Sequence, residues 1–351
     1  MLYSESDFIL RGDFLDDLSK KQIKTEAPSN IALVKYWGKH GVQLPLNPSV
    51  SFTLNRSKTN TEVLLTPLNS PSDPVKFQFF LDRVHRSDFE PKIAGFFKKI
   101  TLFVPFIHHY EWKIYSQNTF PHSSGIASSA SAFAALSKII IDLEKELFPG
   151  KPADYYAAKT SFIARLGSGS AARSTDRPVM IWGHHPDIPE SNDLYAVKPK
   201  ISVHPAFQNY QDTIILVEKG VKKVSSSKGH QLMNTHPYKE IRKKQAFDHS
   251  YQILEILKKG DLQAFIDLTE SEALTLHALM MTSSPGYILM MPGTLQIINQ
   301  IRKIRQEQHI PVCFTLDAGA NVHILYPETY QKALKTQLFD TLSYDMIFDY
   351  V

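Results

Sequence analysis

Near the middle of the chain a segment that reads as a strand, WKIYSQNTF, runs directly into Pro121-His122-Ser123-Ser124-Gly125-Ile126-Ala127-Ser128-Ser129-Ala130. A long run rich in Ala, Leu and Ile follows and ends LEKEL. Composition and apolar spacing predict a helix there. A strand, a turn of small residues and a helix start form a natural anion seat. The first N–H groups of a helix have no partner within it, and together they carry about half a positive charge. Small side chains let an anion approach them closely. Gly125 permits a tight turn where a Cβ would clash, and the serine hydroxyls can touch phosphate oxygens or Mg²⁺. The pattern is neither GxxxxGK[ST] nor GxGxxG. Taken alone, it reads equally as a serine-capped helix with small residues for close packing.

The 351 residues exceed what one core usually covers, so two domains are expected. Residues 196–212 mix prolines with polar side chains before a new strand begins, which puts the boundary at 207/208. In residues 1–207, strands are predicted at Ile23–Val34, in VKFQFFLD, and as a pair across 49–65 with a turn at Asn55-Arg56-Ser57. Helices are predicted over 88–104 and 153–166. In residues 208–351, helices are predicted at 237–259, 261–281 and 292–307, with strands at 212–218, 312–316 and 321–326. Residues 1 to about 22 read as a weakly ordered extension. Phe133–Ile141 reads as core.

With 43% hydrophobic and 21% charged residues, the composition is that of a soluble globular protein. The one cysteine, Cys313, can form neither an internal disulfide nor a zinc cluster. No apolar stretch resembles a signal peptide or a membrane span. The expectation is a cytoplasmic protein without a membrane partner. A net charge of +4 is too small to argue for nucleic acid. The short clusters Lys222-Lys223 and Arg242-Lys243-Lys244 read as solvated faces. The pairs His108-His109 and His184-His185 read as surface residues, because neighbours on a strand point to opposite faces.

Three further motifs carry chemistry. Ala27–Lys39 places Lys35 and Lys39 four apart around Tyr36, Trp37 and Gly38, which suits an anion but also fits an exposed basic turn. Leu166-Gly167-Ser168-Gly169-Ser170-Ala171-Ala172-Arg173-Ser174 delivers one arginine whose planar fork matches a carboxylate or phosphate; it also fits a plain helix start. Phe314-Thr315-Leu316-Asp317-Ala318-Gly319-Ala320-Asn321 sets a carboxylate between a buried strand and a glycine turn. That is a place for a functional acid and equally for an Asx-turn aspartate.

Together and in this order, the segments NIALVKYWGK with LPLNPSVSFTL, SQNTFPHSSGIASSASAFAAL, LGSGSAARS, KKVSSSKGHQL, LHALMMTSSPGYILM and FTLDAGANVHI resemble the diphosphomevalonate decarboxylases of the GHMP small-molecule kinase superfamily. The resemblance spans about residues 24 to 326. It implies an α+β, two-domain GHMP kinase fold, with an N-terminal half like domain 2 of ribosomal protein S5, a ferredoxin-like C-terminal half, and ligands in the cleft between them. It implies ATP and Mg²⁺ as cofactors, mevalonate 5-diphosphate as substrate and a homodimer.

By the same resemblance Asp317 accepts the proton of the substrate's tertiary hydroxyl. Lys35 neutralises charge there and holds Asp317 ionised. Arg173 grips the carboxylate that is lost. Ser168 and Ser170 belong to the substrate site, and Tyr36, Lys39 and Ser226 hold the 5-diphosphate. Pro121, Ser123, Ser124, Gly125, Ile126, Ala127, Ser128 and Ser129 hold the ATP phosphates, with Ser129 at the metal. Three departures stand out. The loop is PHSSGIASS where the family usually has PTAAGLASS. Ser227-Lys228 follows Ser226, where some relatives have an arginine. Ser174-Thr175-Asp176-Arg177-Pro178 replaces an aromatic and a Gly-Gly pair, which makes Arg177 an alternative grip on the carboxylate. A mevalonate 5-phosphate decarboxylase, a mevalonate 3-kinase and a degenerate binding homologue stay open as alternatives.

Overall fold

A computed structural model of the chain describes residues 2–12, 18–121, 126–218 and 226–351; the side chains of Ser226 and Ser227 lie outside the description. One sheet contains β1 (Lys21–Val34), β4 (Ser49–Pro67), β5 (Phe77–Leu81), β6 (Val84–His85), β7 (Tyr110–Asn118) and β8 (Val179–Trp182), ordered β1-β4-β7-β5-β6, with β8 on the leading end of β4. Only β5 and β7 run parallel, joined across α1 (Glu90–Ile100). A second, antiparallel sheet is formed by β9 (Gln211–Leu216), β10 (Cys313–Thr315), β11 (Val322–Tyr326) and β12 (Asp345–Tyr350), ordered β10-β11-β9-β12. A short hairpin, β2 (Lys39–His40) and β3 (Leu44–Pro45), stands apart. Helices α2 (Ser128–Leu147) and α3 (Ala153–Gly167) accompany the first sheet. Helices α4 (Ser226–Leu232), α5 (Lys239–Lys259), α6 (Leu262–Met281), α7 (Pro292–Gln308) and α8 (Gln331–Gln337) belong with the second. Among the described residues, no helix is long and apolar enough to cross a membrane.

The burial pattern of β1 records what covers it. From Lys21 to Glu26 exposed and half-buried residues alternate, as on a sheet with one face in water. From Ala27 onward every residue is buried. Ile31, Leu33 and Val34, with Val50 and Phe52 of β4, join one core with Ile214 of β9, Ile253 of α5 and Phe265 of α6. The two sheets therefore share apolar packing where β1 ends. On the other part of the sheet, α1, α2 and α3 pack on β7 through Phe96, Phe133, Ile140, Phe162 and Trp112.

Several expectations need correction. Residues 49–65 are not two strands with a turn but parts of one strand. Opposite Ser29 of β1, the four residues Leu54–Ser57 bulge out of register, since Thr53 pairs with Asn30 and Lys58 with Pro28. The N–H groups of Asn55, Arg56 and Ser57, freed from the ladder, all donate to the Asp349 carboxylate on β12. Helix α1 is shorter than 88–104, opening at Glu90 and passing into turns after Ile100. The extension is docked, with Phe8 fully buried against Tyr155 and Phe162. His185 is not a surface residue: it is buried, takes the Asp187 N–H on Nδ1 and donates from Nε2 to Phe247 O. His108 is half-buried between Ser72 O and Thr101 Oγ1.

Candidate active site

The segment expected to hold phosphates lies between β7 and α2. Ser123, Ser124 and Gly125 lie outside the described residues. Pro121 is exposed, and Ile126 is buried, its carbonyl accepting from Ser29 Oγ at 2.7 Å. Ala127 sits at φ 37°, ψ 40°, a left-handed conformation that costs a residue with a Cβ. It turns the chain so that Ala130 N–H closes onto the Ala127 carbonyl at 2.7 Å. Ser128 and Ser129 are therefore the first two residues of a 20-residue helix, at its positive end. Both line a cavity of about 270 Å³ whose other walls include Phe79, Phe89, Ile93 and Ile114, with Thr61, Ser116, Asn118 and Lys92 among its polar groups. Ser129 Oγ lies 3.3 Å from Ser168 Oγ, and Ser168 Oγ lies 3.4 Å from Ser170 Oγ, so the loop and the Gly-Ser motif form one row of hydroxyls.

Lys35 follows the last residue of β1 and is 2% exposed. Its Nζ stands 3.0 Å from Asp317 Oδ1 and donates to Ala32 O at 2.7 Å. Burial pushes this amine down, while Asp317 and then Glu272 pull it back up. Asp317 lies in the turn between β10 and β11. Its carbonyl accepts from Gly319 N–H at 2.7 Å and from His277 Nε2 at 3.1 Å. His277, pushed down to about 4 by burial, is neutral.

Arg173, 2% exposed, donates from Nη1 to Ser49 Oγ at 2.6 Å and from Nε to Ser51 Oγ at 3.2 Å. Its guanidinium lies 5.9 Å from the Trp182 ring centre. Burial pushes it down to about 10 against the opposing pull of Asp317 and Tyr36, so Arg173 and Asp317 sense one another's charge. Asn30 secures this segment by donating to Ser170 O and Ser174 Oγ. Arg177 is directed elsewhere, with its guanidinium on Asn55 Oδ1 in the β4 bulge.

Tyr36 packs between Trp182 and His230 with its ring tilted to both, the ring centres 4.7 and 4.3 Å away. Burial raises its pKa, so it stays a neutral phenol. A Cβ on Gly169 would come within 2.8 Å of the Tyr36 hydroxyl, which explains glycine there. His230 accepts Gly38 N–H on Nδ1 at 2.9 Å. It is pushed down to about 3 by burial and then by Lys39 and Arg173, and so is neutral. Lys39 donates to Gln43 Oε1 at 2.6 Å and opens onto a recess of about 510 Å³ shared with Lys92 and Lys99 of α1. None of the described residues lining it is acidic. All three amines are pushed down, first by burial; Lys39 and Lys92 are lowered further by neighbouring lysines, and Lys99 by Arg165. Three amines thus face one recess with no carboxylate among its described lining.

The structure thus brings Lys35, Asp317 and Arg173 together, sets Tyr36 against Gly169 between Ser168 and Ser170, and links Ser168 to Ser129. Lys92, Lys99 and Asn30 escaped the sequence reading. The lysines look like the polar face of an amphipathic helix, and only their shared recess with Lys39 singles them out. The basic cluster 242–244 needs a correction: Arg242 is not solvated but 3% exposed, paired with Glu272 of α6.

Two sheets with helices, a long helix opening at Ser128-Ser129 and a carboxylate–lysine pair between the halves define a two-domain α+β protein of the GHMP kinase type. Residues 27–196 match the diphosphomevalonate decarboxylase-like N-terminal domain, and residues 213–346 the mevalonate 5-diphosphate decarboxylase C-terminal domain. A diphosphomevalonate decarboxylase of Gibberella zeae is 30% identical over 336 residues, covering 90% of this chain and 83% of the relative. The solved mevalonate diphosphate decarboxylase from Enterococcus faecalis superposes with a TM-score of 0.79 at 27% identity, covering 95% of this chain and 97% of that one. A second solved chain, MDDEF in complex with MVAPP, AMPPCP and magnesium, gives 0.80 at 28% identity with the same coverage. The chain belongs to the diphosphomevalonate decarboxylase family.

Proposed function

We propose that the protein decarboxylates mevalonate 5-diphosphate to isopentenyl diphosphate at the expense of ATP, releasing ADP, phosphate and CO₂, and that it does so in the cytoplasm as a homodimer. The observation that carries the reading is the ion pair of Lys35 and Asp317, 3.0 Å apart, beside the buried Arg173.

In this reading the adenine enters the apolar cavity beside Ser128, and the phosphates lie along the start of α2. Mg²⁺, when bound beside the phosphates, would neutralise part of their charge. Among the described residues no three acidic, histidine or cysteine side chains converge on a metal position. Ser129, at the head of α2, is the residue that would hold the ion. Lys39, Lys92, Lys99, Tyr36 and Ser226 receive the 5-diphosphate. Arg173 takes the carboxylate, with Ser49 and Ser51 fixing its fork.

Asp317 accepts the proton of the tertiary hydroxyl as that oxygen takes up the γ-phosphoryl group, and Lys35 neutralises the charge that gathers there. The phosphorylated oxygen then departs as phosphate. The bond to the carboxylate carbon breaks, and its electron pair becomes the double bond of the product while CO₂ leaves.

The recess with three lysines favours the diphosphate over a monophosphate substrate. Each CO₂ released is expected with one ADP and one phosphate, EDTA is expected to stop turnover, and kcat/KM is expected to be higher for mevalonate 5-diphosphate than for the 5-phosphate. CO₂ release at full rate without ATP contradicts the mechanism. A preference for the 5-phosphate contradicts the role given to the lysines.

A further inference from the structure

Strand β1 ends at Val34, so the N–H and C=O of Lys35 lie beyond the ladder in a buried position, where unpaired backbone groups are costly. One ion pair from the C-terminal half takes both. Lys35 N–H donates to Glu272 Oε2 at 2.8 Å, and Lys35 C=O accepts from Arg242 Nη2 at 2.9 Å, with Asn47 Nδ2 as a second donor at 3.0 Å. Arg242 also forks onto both Glu272 oxygens at 2.7 Å each, and His249 Nδ1 lies 2.7 Å from Glu272 Oε1. Glu272 is fully buried. Five residues further along α6, His277 donates to the carbonyl of Asp317.

We propose that α6, with Arg242 from α5, is a brace for the reacting pair: Glu272 and Arg242 are positioning residues that fix the backbone of Lys35, while His277 fixes that of Asp317. One rigid helix then sets the spacing between an amine carried by the first sheet and a carboxylate carried by the second. A well-packed apolar pair could join the two halves equally well, but it would leave the Lys35 N–H without an acceptor. The choice of an ion pair with a fork is explained by what it holds.

The charge environment gives a second handle. The Lys35 amine is faced by Asp317, Glu272 and Arg173, with neutral His277 beside it and Arg242 behind its carbonyl. Burial lowers it, and Glu272 is one of the two carboxylates that raise it. Glu272 itself remains a carboxylate: burial pushes it up, but Arg242, His249 and the Lys35 N–H hold it at about 2. Without Glu272, Lys35 loses its proton at lower pH.

The brace rests on the reading of Lys35 as catalytic, so the experiment includes Lys35→Met beside the double variant Glu272→Gln/Arg242→Gln. The double variant removes both charges and leaves no buried ion unpaired. With ATP, Mg²⁺ and mevalonate 5-diphosphate, its kcat is expected to fall roughly 10- to 100-fold, since a misplacement of about 1 Å can cost that much. KM for ATP is expected to hold, because neither residue lines the cavity beside Ser128. The alkaline limb of the kcat profile is expected to move to lower pH. Arg242→Lys keeps the charge but lacks the fork; it is expected to lose kcat in the same direction by less, and it serves if the double variant does not fold.

A lower Tm with wild-type kcat and an unmoved alkaline limb, beside an inactive Lys35→Met enzyme, would overturn the brace alone. An active Lys35→Met enzyme would overturn the assignment of Lys35 and the brace with it.

Discussion

Asp317→Asn lowers kcat by roughly 10²- to 10⁴-fold, the range that a positioned general base contributes. The substitution keeps the shape of the side chain but removes the only strong proton acceptor proposed for the tertiary hydroxyl. Its effect on binding is small by comparison. The ATP phosphates sit at the start of α2, and Asp317 takes no part in that loop or in the apolar cavity beside it. KM for ATP therefore stays within a few-fold. A second consequence follows from the ion pair. Asp317 is the largest influence holding up the Lys35 amine against burial. In the variant Lys35 gives up its proton at lower pH, and the residual activity falls off earlier on the alkaline side. Steady-state kinetics between acid and alkaline pH check both points. A folded variant with near-normal kcat would remove Asp317 from the reaction.

Arg173→Gln raises KM for mevalonate 5-diphosphate roughly 10- to 150-fold, the equivalent of losing hydrogen bonds to a charged group worth about 1.5–3 kcal/mol. The carboxylate exists in the ground state, so the loss appears in KM. Where the guanidinium also holds the breaking bond in line, kcat falls as well. Glutamine can still bond Ser49 or Ser51 but offers neither the charge nor the fork. The parallel variant Arg177→Gln is expected to be close to wild type, because Arg177 is bonded to Asn55 at the β4 bulge. If Arg177→Gln is the impaired enzyme and Arg173→Gln is not, the assignment at this position is reversed.

Local motifs were legible in the sequence where chemistry and backbone coincide. The helix that opens at Ser128, the lysine after β1 and the aspartate before Gly319 are each announced by local sequence. The strand-to-helix order and the apolar spacing of α2, α6 and α7 follow from the same kind of evidence. What could not be read depends on partners far away in the chain. Asn55-Arg56-Ser57 has turn composition, yet it is a bulge, because Asp349, almost 300 residues later, accepts its N–H groups. Arg242 stands beside two lysines and looks solvated, but Glu272 on the next helix draws it inside. His185 likewise looks like half of a surface pair until Phe247 supplies its acceptor. Lys92 and Lys99 carry no local sign of function; what singles them out is that they face Lys39 across a recess with no carboxylate among its described lining.

The central claim is that the tertiary oxygen of the substrate is phosphorylated before CO₂ leaves. The most direct measurement places a heavy-oxygen label on that hydroxyl and follows it by mass spectrometry through a single turnover with ATP and Mg²⁺. If Asp317 and Lys35 deliver the oxygen to the γ-phosphoryl group, the label is recovered in the inorganic phosphate and none in water. Label in water, with unlabelled phosphate, would show that the hydroxyl leaves without being phosphorylated and would contradict the account.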